Sequence, residues 1–279
     1  MKKTIFFALA VLFAGACGSI SNTDDYEEQR VVEPTAKFHL AVGGVAPGRD
    51  ELVIYDDDGE PMEFSNTDLE CESSRDIIDL TARPGYSSVK EGSGVRIVAK
   101  ETGIAAVTCN SRGLPLGKPY EVIVAPQMVV QILLAEAGAQ IFNEATYDEN
   151  NTVALDSASP TAEALAYVIQ NRVSMAYEYD NPAMFNANED VFEANPPTSY
   201  YVAIIEAKGQ FSPLDPDDPM NEVFLDSARR SNMTDVAWRI AYDQAVLTAA
   251  TVYAEDIDDP TGGAFGFRSP TEDEWVALK

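Results

Sequence analysis

Glu136 stands inside the apolar run Q-I-L-L-A-E-A-G-A-Q at 131–140. Val129, Ile132 and Leu133 mark one face of a helix by their spacing, and Glu136 takes the next position on that face. A carboxyl group among apolar neighbours loses hydration, which favours its protonated form and raises its pKa. A proton held near neutral pH is what a general acid needs. The same position also suits a glutamate that reaches water from the edge of the stripe, or one paired with a buried base. The chain has a single histidine, His39, so a His-based triad has one candidate and a metal site built on several histidines is excluded. His39 lies on a strand-like run and takes no role. The residue pattern calls for no cofactor.

The elements that must position Glu136 lie in 126–279, which reads mainly as helix. An opening helix covers 127–142, and a polar loop follows it. Ser159 is the expected N-cap of a second helix, with Pro160 at its first position and Glu163 in its first turn. That helix carries Leu165, Val168, Ile169 and Val173 at helical spacing. Residues 177–219 are rich in Asn, Pro and aromatics and read as one long irregular stretch. A structureless loop of about forty residues is uncommon inside a compact domain and is more often functional than incidental. Further helices are expected at 221–230 and 234–253, the latter capped by Thr234. A turn cluster at 256–263 and a short strand at 264–267 complete the reading.

Four blocks in this region carry a resemblance. They are 133–138 (L-L-A-E-A-G), 164–173 (A-L-A-Y-V-I-Q-N-R-V), 203–212 (A-I-I-E-A-K-G-Q-F-S) and 259–267 (D-P-T-G-G-A-F-G-F). In order and spacing they are similar to the SleB-type cell-wall hydrolases, the spore-cortex-lytic family of peptidoglycan-cleaving enzymes. The resemblance implies a lysozyme-like, mostly helical fold. It implies Glu136 as the catalytic glutamate, and a reaction that cuts the link between N-acetylmuramic acid and N-acetylglucosamine. Where the family usually continues with Arg-Gly-Glu, this chain has Gly138, Ala139 and Gln140. Gln210, Phe211 and Ser212 are expected as substrate contacts, because an amide and an aromatic ring suit sugar hydroxyls and sugar faces. Asn171 is expected to fix a loop by hydrogen bonding, and Arg172 to be a structural ion-pair partner. Glu144 and Glu163 are expected to be solvated, and Phe265 and Phe267 to belong to the core.

Residues 36–125 read as β, in short runs such as 37–42, 50–55, 94–99, 104–109 and 120–124 separated by Gly-, Asp- and Pro-rich turns. Regular short strands suggest a β-sandwich. The segment 95–109 with the strand at 120–124 is similar to bacterial Ig-like domains, which serve as spacers or contact modules. The sequence D-D-D-G-E at 56–60 reads as a solvated hairpin turn, since it lacks the spacing of a calcium loop. Cys71 and Cys109 fall in different expected strands, so a disulfide between sheets is the expectation and two buried thiols the alternative.

Residues 1–17 read as an export signal, with Lys2 and Lys3 before an apolar core at 5–13 that is too short for a permanent span. Small residues lead to Cys17, an arrangement that resembles a bacterial lipobox. It implies lipidation of Cys17 and anchoring in the cell envelope, with an outer membrane suggested by the Gly18 and Ser19 that follow. The alternative is a simple signal peptide cut before a free cysteine. Residues 18–35 are polar and acidic and read as a tether.

The formal net charge is −27 over 279 residues, of which −19 lies in 126–279. Such acidity argues against nucleic acid as a partner and against electrostatic adsorption to anionic lipid. Its direct physical use is solubility. The expected architecture is therefore multidomain: an Ig-like β-sandwich at 36–125 followed by a mainly α, lysozyme-like domain at 126–279. The expected partner is peptidoglycan, and the expected activity is that of a muramidase or lytic transglycosylase. A surface lipoprotein whose hydrolase-like domain only binds cell-wall glycan or protein is the competing reading, and adhesion with the Ig-like domain as the working part is a third.

Overall fold

The computed structural model describes residues 37–42, 52–53, 69–82, 94–145, 159–194, 198–207, 210–225, 235–254 and 258–266. Cys17, the tether at 18–35, the turn at 56–60, the Thr234 cap and Phe267 lie outside the described residues. Those described all fall within one compact unit, 32–279. The fold is mixed α and β, with strands first and helices after.

Strands β1 (Lys37–Ala41), β7 (Leu114–Ala125), β6 (Gly103–Ser111) and β3 (Leu69–Ser73) form one sheet in that spatial order. Strands β2 (Leu52–Val53), β5 (Gly94–Ala99) and β4 (Ile78–Ala82) form a second. β1 runs parallel to β7, and the other pairs are antiparallel. Alternation in β6 buries Ala105, Val107 and Cys109 and exposes the residues between them, the period-two pattern of a strand with one covered face. Both sheets contribute to one core: Leu40, Val107, Tyr120 and Val122 from the first meet Ile78, Val95 and Ile97 from the second.

Cys71 and Cys109 are bonded to each other. The bridge does not join the two sheets. The two residues stand directly opposite in β3 and β6, neighbouring strands of the same sheet, with Cα atoms 4.1 Å apart. Strand-like runs can be read from sequence, but the order in which strands sit side by side cannot, and that order decides the kind of bridge.

At Pro126 the chain turns from strand to helix, and the Pro126 carbonyl accepts from the amides of Val129 and Val130. Helix α1 (Gln127–Glu144) buries Val129, Val130, Ile132, Leu133, Leu134, Ala135, Gly138 and Ile141. That set runs around most of the helix, so α1 is the central element rather than a surface helix with one apolar stripe. It packs against α6 (Asp235–Tyr253), α2 (Pro160–Glu178), α4 (Thr198–Ile205) and α5 (Asn221–Leu225). α2 starts as its sequence signals: the Ser159 hydroxyl accepts from the Ala162 amide, and Pro160 occupies the first turn.

The stretch 177–219 is not one long loop. α2 runs to Glu178, and a 3-10 turn (Pro182–Phe185), α3 (Glu189–Ala194), α4 and a second 3-10 turn (Ser212–Leu214) follow. The T-S-Y-Y-V-A-I-I run of α4 is rich in β-branched and aromatic residues, which have low intrinsic helix propensity. Burial overrides that preference: Tyr201, Ala203, Ile204 and Ile205 all enter the helical core. No strand forms at 264–266, where the chain is held by side chains instead, as described below. The helical core also takes in Ala41, Ile123 and Ala125 from β1 and β7, onto which α6 packs.

Candidate functional site

Glu136 lies half-buried on α1, within hydrogen-bond reach of the Ser212 amide in the 3-10 turn Ser212–Leu214. Burial pushes its carboxyl above the ordinary glutamate range, and the charge of Asp218 adds to the rise, while a hydrogen bond from the Ser212 amide opposes it. Ser212 and Asp218 both line an open cavity of about 870 Å³. Phe211 and Leu214 supply apolar wall, and Glu206, Asp215 and Asp217 make its rim acidic. Glu136 itself is not on the wall of this cavity; it meets it through Ser212 and Asp218.

The loop that carries these residues is closely braced. The Gln210 amide donates to the Ala207 carbonyl (3.1 Å), Asp215 to Ser212 (2.9 Å), and Asp218 to Asp215 (2.9 Å). The Asn221 side chain donates to the Pro213 carbonyl (2.8 Å), and the Met220 amide donates to the Asp218 carboxylate (2.7 Å). Of the three expected substrate contacts, Phe211 and Ser212 line the cavity and half-buried Gln210 does not.

Behind the Phe211 ring stands Arg172. Its guanidinium lies 5.2 Å from the ring centroid, and its Nε donates to the Phe265 carbonyl (2.8 Å). The expected ion pair is not there: among the described residues Arg172 has no carboxylate partner, and its Nη1 is buried without a hydrogen-bond acceptor. The surfaces that α2 meets at this point offer a ring face and a carbonyl, so a cation–π contact replaces the salt bridge. Burial lowers the Arg172 pKa from its usual value.

Asn171, one residue earlier, reaches the turn at 259–264. Its Nδ2 donates to Asp259 Oδ2 (3.1 Å), the Ala264 carbonyl (3.1 Å) and Thr261 Oγ1 (3.3 Å). Asp259 also accepts from the amides of Thr261 and Gly263 and from the Thr261 hydroxyl. Burial alone would raise the Asp259 carboxyl, but these donors together hold it below the usual aspartate value. Gly262 and Gly263 both adopt positive φ, 64° and 90°, which explains a pair of glycines in this turn. Phe265 is not core: it is 39% exposed and packs on Phe185 with ring centroids 6.1 Å apart.

Glu144 and Glu163 are not simply solvated. Glu144 is half-buried and accepts from the Ser159 and Thr161 hydroxyls, the Thr161 amide and the Gln140 side chain. Burial raises its pKa, but those four hydrogen bonds more than offset it and the carboxyl ends below the usual value. It therefore caps the positive end of α2 and serves the fold. Glu163 is half-buried, and burial raises its carboxyl.

No family model and no curated protein matches this chain. The four sequence blocks nevertheless meet one another in space. The first touches the third through Glu136 and Ser212, the third touches the second through Phe211 and Arg172, and the second touches the fourth through Asn171 and Asp259. The cavity carboxylates Glu206, Asp215, Asp217 and Asp218 were given no role by the residue pattern, and Asp259 entered it only as the first residue of the fourth block. Their sequences, L-D-P-D-D-P at 214–219 and D-P-T-G-G at 259–263, have the composition of turns, which carries no sign of what the acids face. Among the described residues, no group of three or more His, Cys, Asp and Glu side chains is arranged to hold a metal ion. No helix among them is long and apolar enough to cross a membrane.

Proposed function

We propose that this protein cleaves the glycan strand of peptidoglycan, with Glu136 as the one acid that moves the proton. The observation that supports the reading is a half-buried glutamate, biased toward its protonated form, beside an open cavity lined by Ser212 and Asp218, within four blocks that resemble those of SleB-type hydrolases. Protonated Glu136 gives its proton to the glycosidic oxygen as the bond from C1 of the muramic acid breaks, through an oxocarbenium-like state. The departing sugar leaves with a free hydroxyl, and Glu136 is left as a carboxylate. It then accepts the proton of the group that attacks C1. If that group is the sugar's own 6-hydroxyl, the product is a 1,6-anhydro end; if it is water, a reducing end forms.

The same reading takes the helical part as lysozyme-like and the paired sheets as an Ig-like spacer. Cys17 is taken as a lipid attachment point that holds the enzyme in the envelope, within reach of the sacculus. Incubation of the purified full chain with sacculi, followed by mass spectrometry of released fragments, tests the reaction. Release of muropeptides by the wild type and none by Glu136→Gln is the expected result. Intact sacculi with the wild type would instead favour a protein that only binds the wall, and equal release by both would remove Glu136 from the mechanism.

A further inference from the structure

We infer that Phe265, with the Phe185 ring against it, is a second sugar-binding position beside the cavity, and that Arg172 is the positioning residue that holds it there. The inference rests on the glycan reading above: the occupant is a further sugar of the same strand.

A single exposed aromatic side chain on a loose loop would need no account. Phe265 is 39% exposed, yet its backbone is held at several points. Its own carbonyl accepts from Arg172 Nε (2.8 Å), and the carbonyl before it, that of Ala264, accepts from Asn171 Nδ2 (3.1 Å). The Ala264 amide donates to the Thr261 hydroxyl (3.1 Å). The ring that Phe265 meets is also on a fixed support. Phe185 is half-buried in the 3-10 turn Pro182–Phe185, which is closed by the Asn186 amide on the Ala183 carbonyl (3.0 Å) and the Ala187 amide on the Pro182 carbonyl (3.2 Å). Exposed Met184 adjoins it in the same turn.

Arg172 is only 7% exposed, and its Nη1 is buried without an acceptor. Burying a guanidinium whose hydrogen bonding is incomplete is costly to a fold. What this one holds is not all core. On one side is the Phe211 ring, its centroid 5.2 Å away, and on the other the Phe265 carbonyl. Phe211 lines the cavity, and the Phe265 ring lies outside it. One cation therefore ties an aromatic wall of the cavity to an aromatic ring beside it. That continuity decides the occupant: a polymer seated in the cavity extends beyond its wall, and the ring pair lies one guanidinium away from that wall. The C–H face of a pyranose suits the electron-rich face of an aromatic ring, and its hydroxyls stay in water.

The test uses the full chain carrying Glu136→Gln, so that binding is measured without turnover, and peptide-free glycan strands titrated by calorimetry. On that background Phe265→Ala and Phe265→Leu are expected to weaken strand binding by roughly 3–10-fold, the range of one aromatic contact, and Phe265→Tyr to restore it. Arg172→Lys keeps the charge and loses the Nε donor, and it is expected to weaken binding within the same range. Added to Phe265→Ala it is expected to weaken binding less than it does alone, because the ring it positions is gone. A purely structural Arg172 would add the same loss with or without the ring, and that result overturns its positioning role. Full affinity in Phe265→Ala or Phe265→Leu, or no strand binding at all, overturns the subsite. Muropeptide release by the wild type alongside full affinity in Phe265→Ala leaves the cleavage reading standing without the subsite. Strand binding that depends on Phe265, in a protein whose wild type leaves sacculi intact, overturns cleavage and keeps the subsite.

Discussion

At the scale of single residues, Glu136 illustrates how a half-buried carboxyl costs the fold stability. Its pKa is raised above the ordinary 4.5, chiefly by burial. Below that value the group is protonated in both folded and unfolded chains and its burial carries no electrostatic penalty. As pH rises from 4.5 toward the folded-state pKa, the unfolded chain releases its proton first, and the folded state loses stability relative to it. Glu136→Gln removes this loss. Its melting temperature is expected to match the wild type at low pH and to exceed it at neutral pH, by thermal denaturation followed across that range. The same substitution is expected to lower cleavage by roughly 10²–10⁴-fold, the usual contribution of a general acid, measured as muropeptide release per unit time. A more stable but inactive variant would separate function from structure in one experiment. Glu136 is legible in the sequence because a carboxylate in an apolar run violates a pattern. Asp218 violates none: it sits in a Pro- and Asp-rich turn, and only the fold brings that turn to α1. Arg172 shows the converse. A structural role was readable from its place on α2, but the ring and carbonyl that receive it come from segments about forty and ninety residues downstream, as the spacing to Phe211 and Phe265 shows.

At the scale of elements, the start of α2 is held by a small polar network rather than by its cap alone. Ser159 donates through its hydroxyl to Glu144, accepts from the Ala162 amide, and donates through its own amide to the Gln244 side chain on α6. Three helices are tied at one point. Ser159→Ala is expected to cost about 1–2 kcal/mol in denaturant unfolding, the upper part of the range for N-caps, because the partners left behind are buried. Glu144 gives this network a pH dependence of opposite sign to that of Glu136. Its folded-state pKa lies below 4.5, so its stabilising contribution is complete above 4.5 and is lost as pH falls through the folded value. Glu144→Gln is therefore expected to be less stable than the wild type at neutral pH, with the gap closing in acid; an unchanged gap down the acid limb would show that charge plays no part. The Ser159–Pro160 start was readable because capping is local. Glu144 was not, because it lies across a loop of about fifteen residues whose closure the sequence does not announce. α3 and α4 were missed for a related reason: α4 is held by contact with α1 and α2 although its own composition points elsewhere, and α3 packs in turn on α4.

At the scale of the whole molecule, the change from strands to helices at Pro126 is sharp in the sequence, but the core does not stop there. Ala41, Ile123 and Ala125 sit in the same apolar cluster as α1, α2 and α6. β7 therefore serves two masters, with Tyr120, Val122 and Val124 facing the core between the sheets and Ile123 and Ala125 facing the helices. Period two explains the division, since neighbouring residues on a strand point to opposite faces. A sheet face covered by helices predicts that the two parts unfold together, as no part can be exposed without opening the cluster they share. Two variants probe this from opposite ends. Breaking the Cys71–Cys109 bridge, which spans 38 residues, is expected to cost about 4 kcal/mol if its effect is mainly on the unfolded chain. Ile123→Ala, which empties space under α6, is expected to cost roughly 2–5 kcal/mol. In calorimetry each is expected to move one transition as a whole, and the helical signal in circular dichroism is expected to fall at the same temperature as the heat-absorption peak. Were the disulfide variant to split the profile, with the helices melting at the wild-type temperature, the strands and helices would be separable units. The contact of α6 with β1 and β7 would then be an interface between independent folds rather than part of a common core.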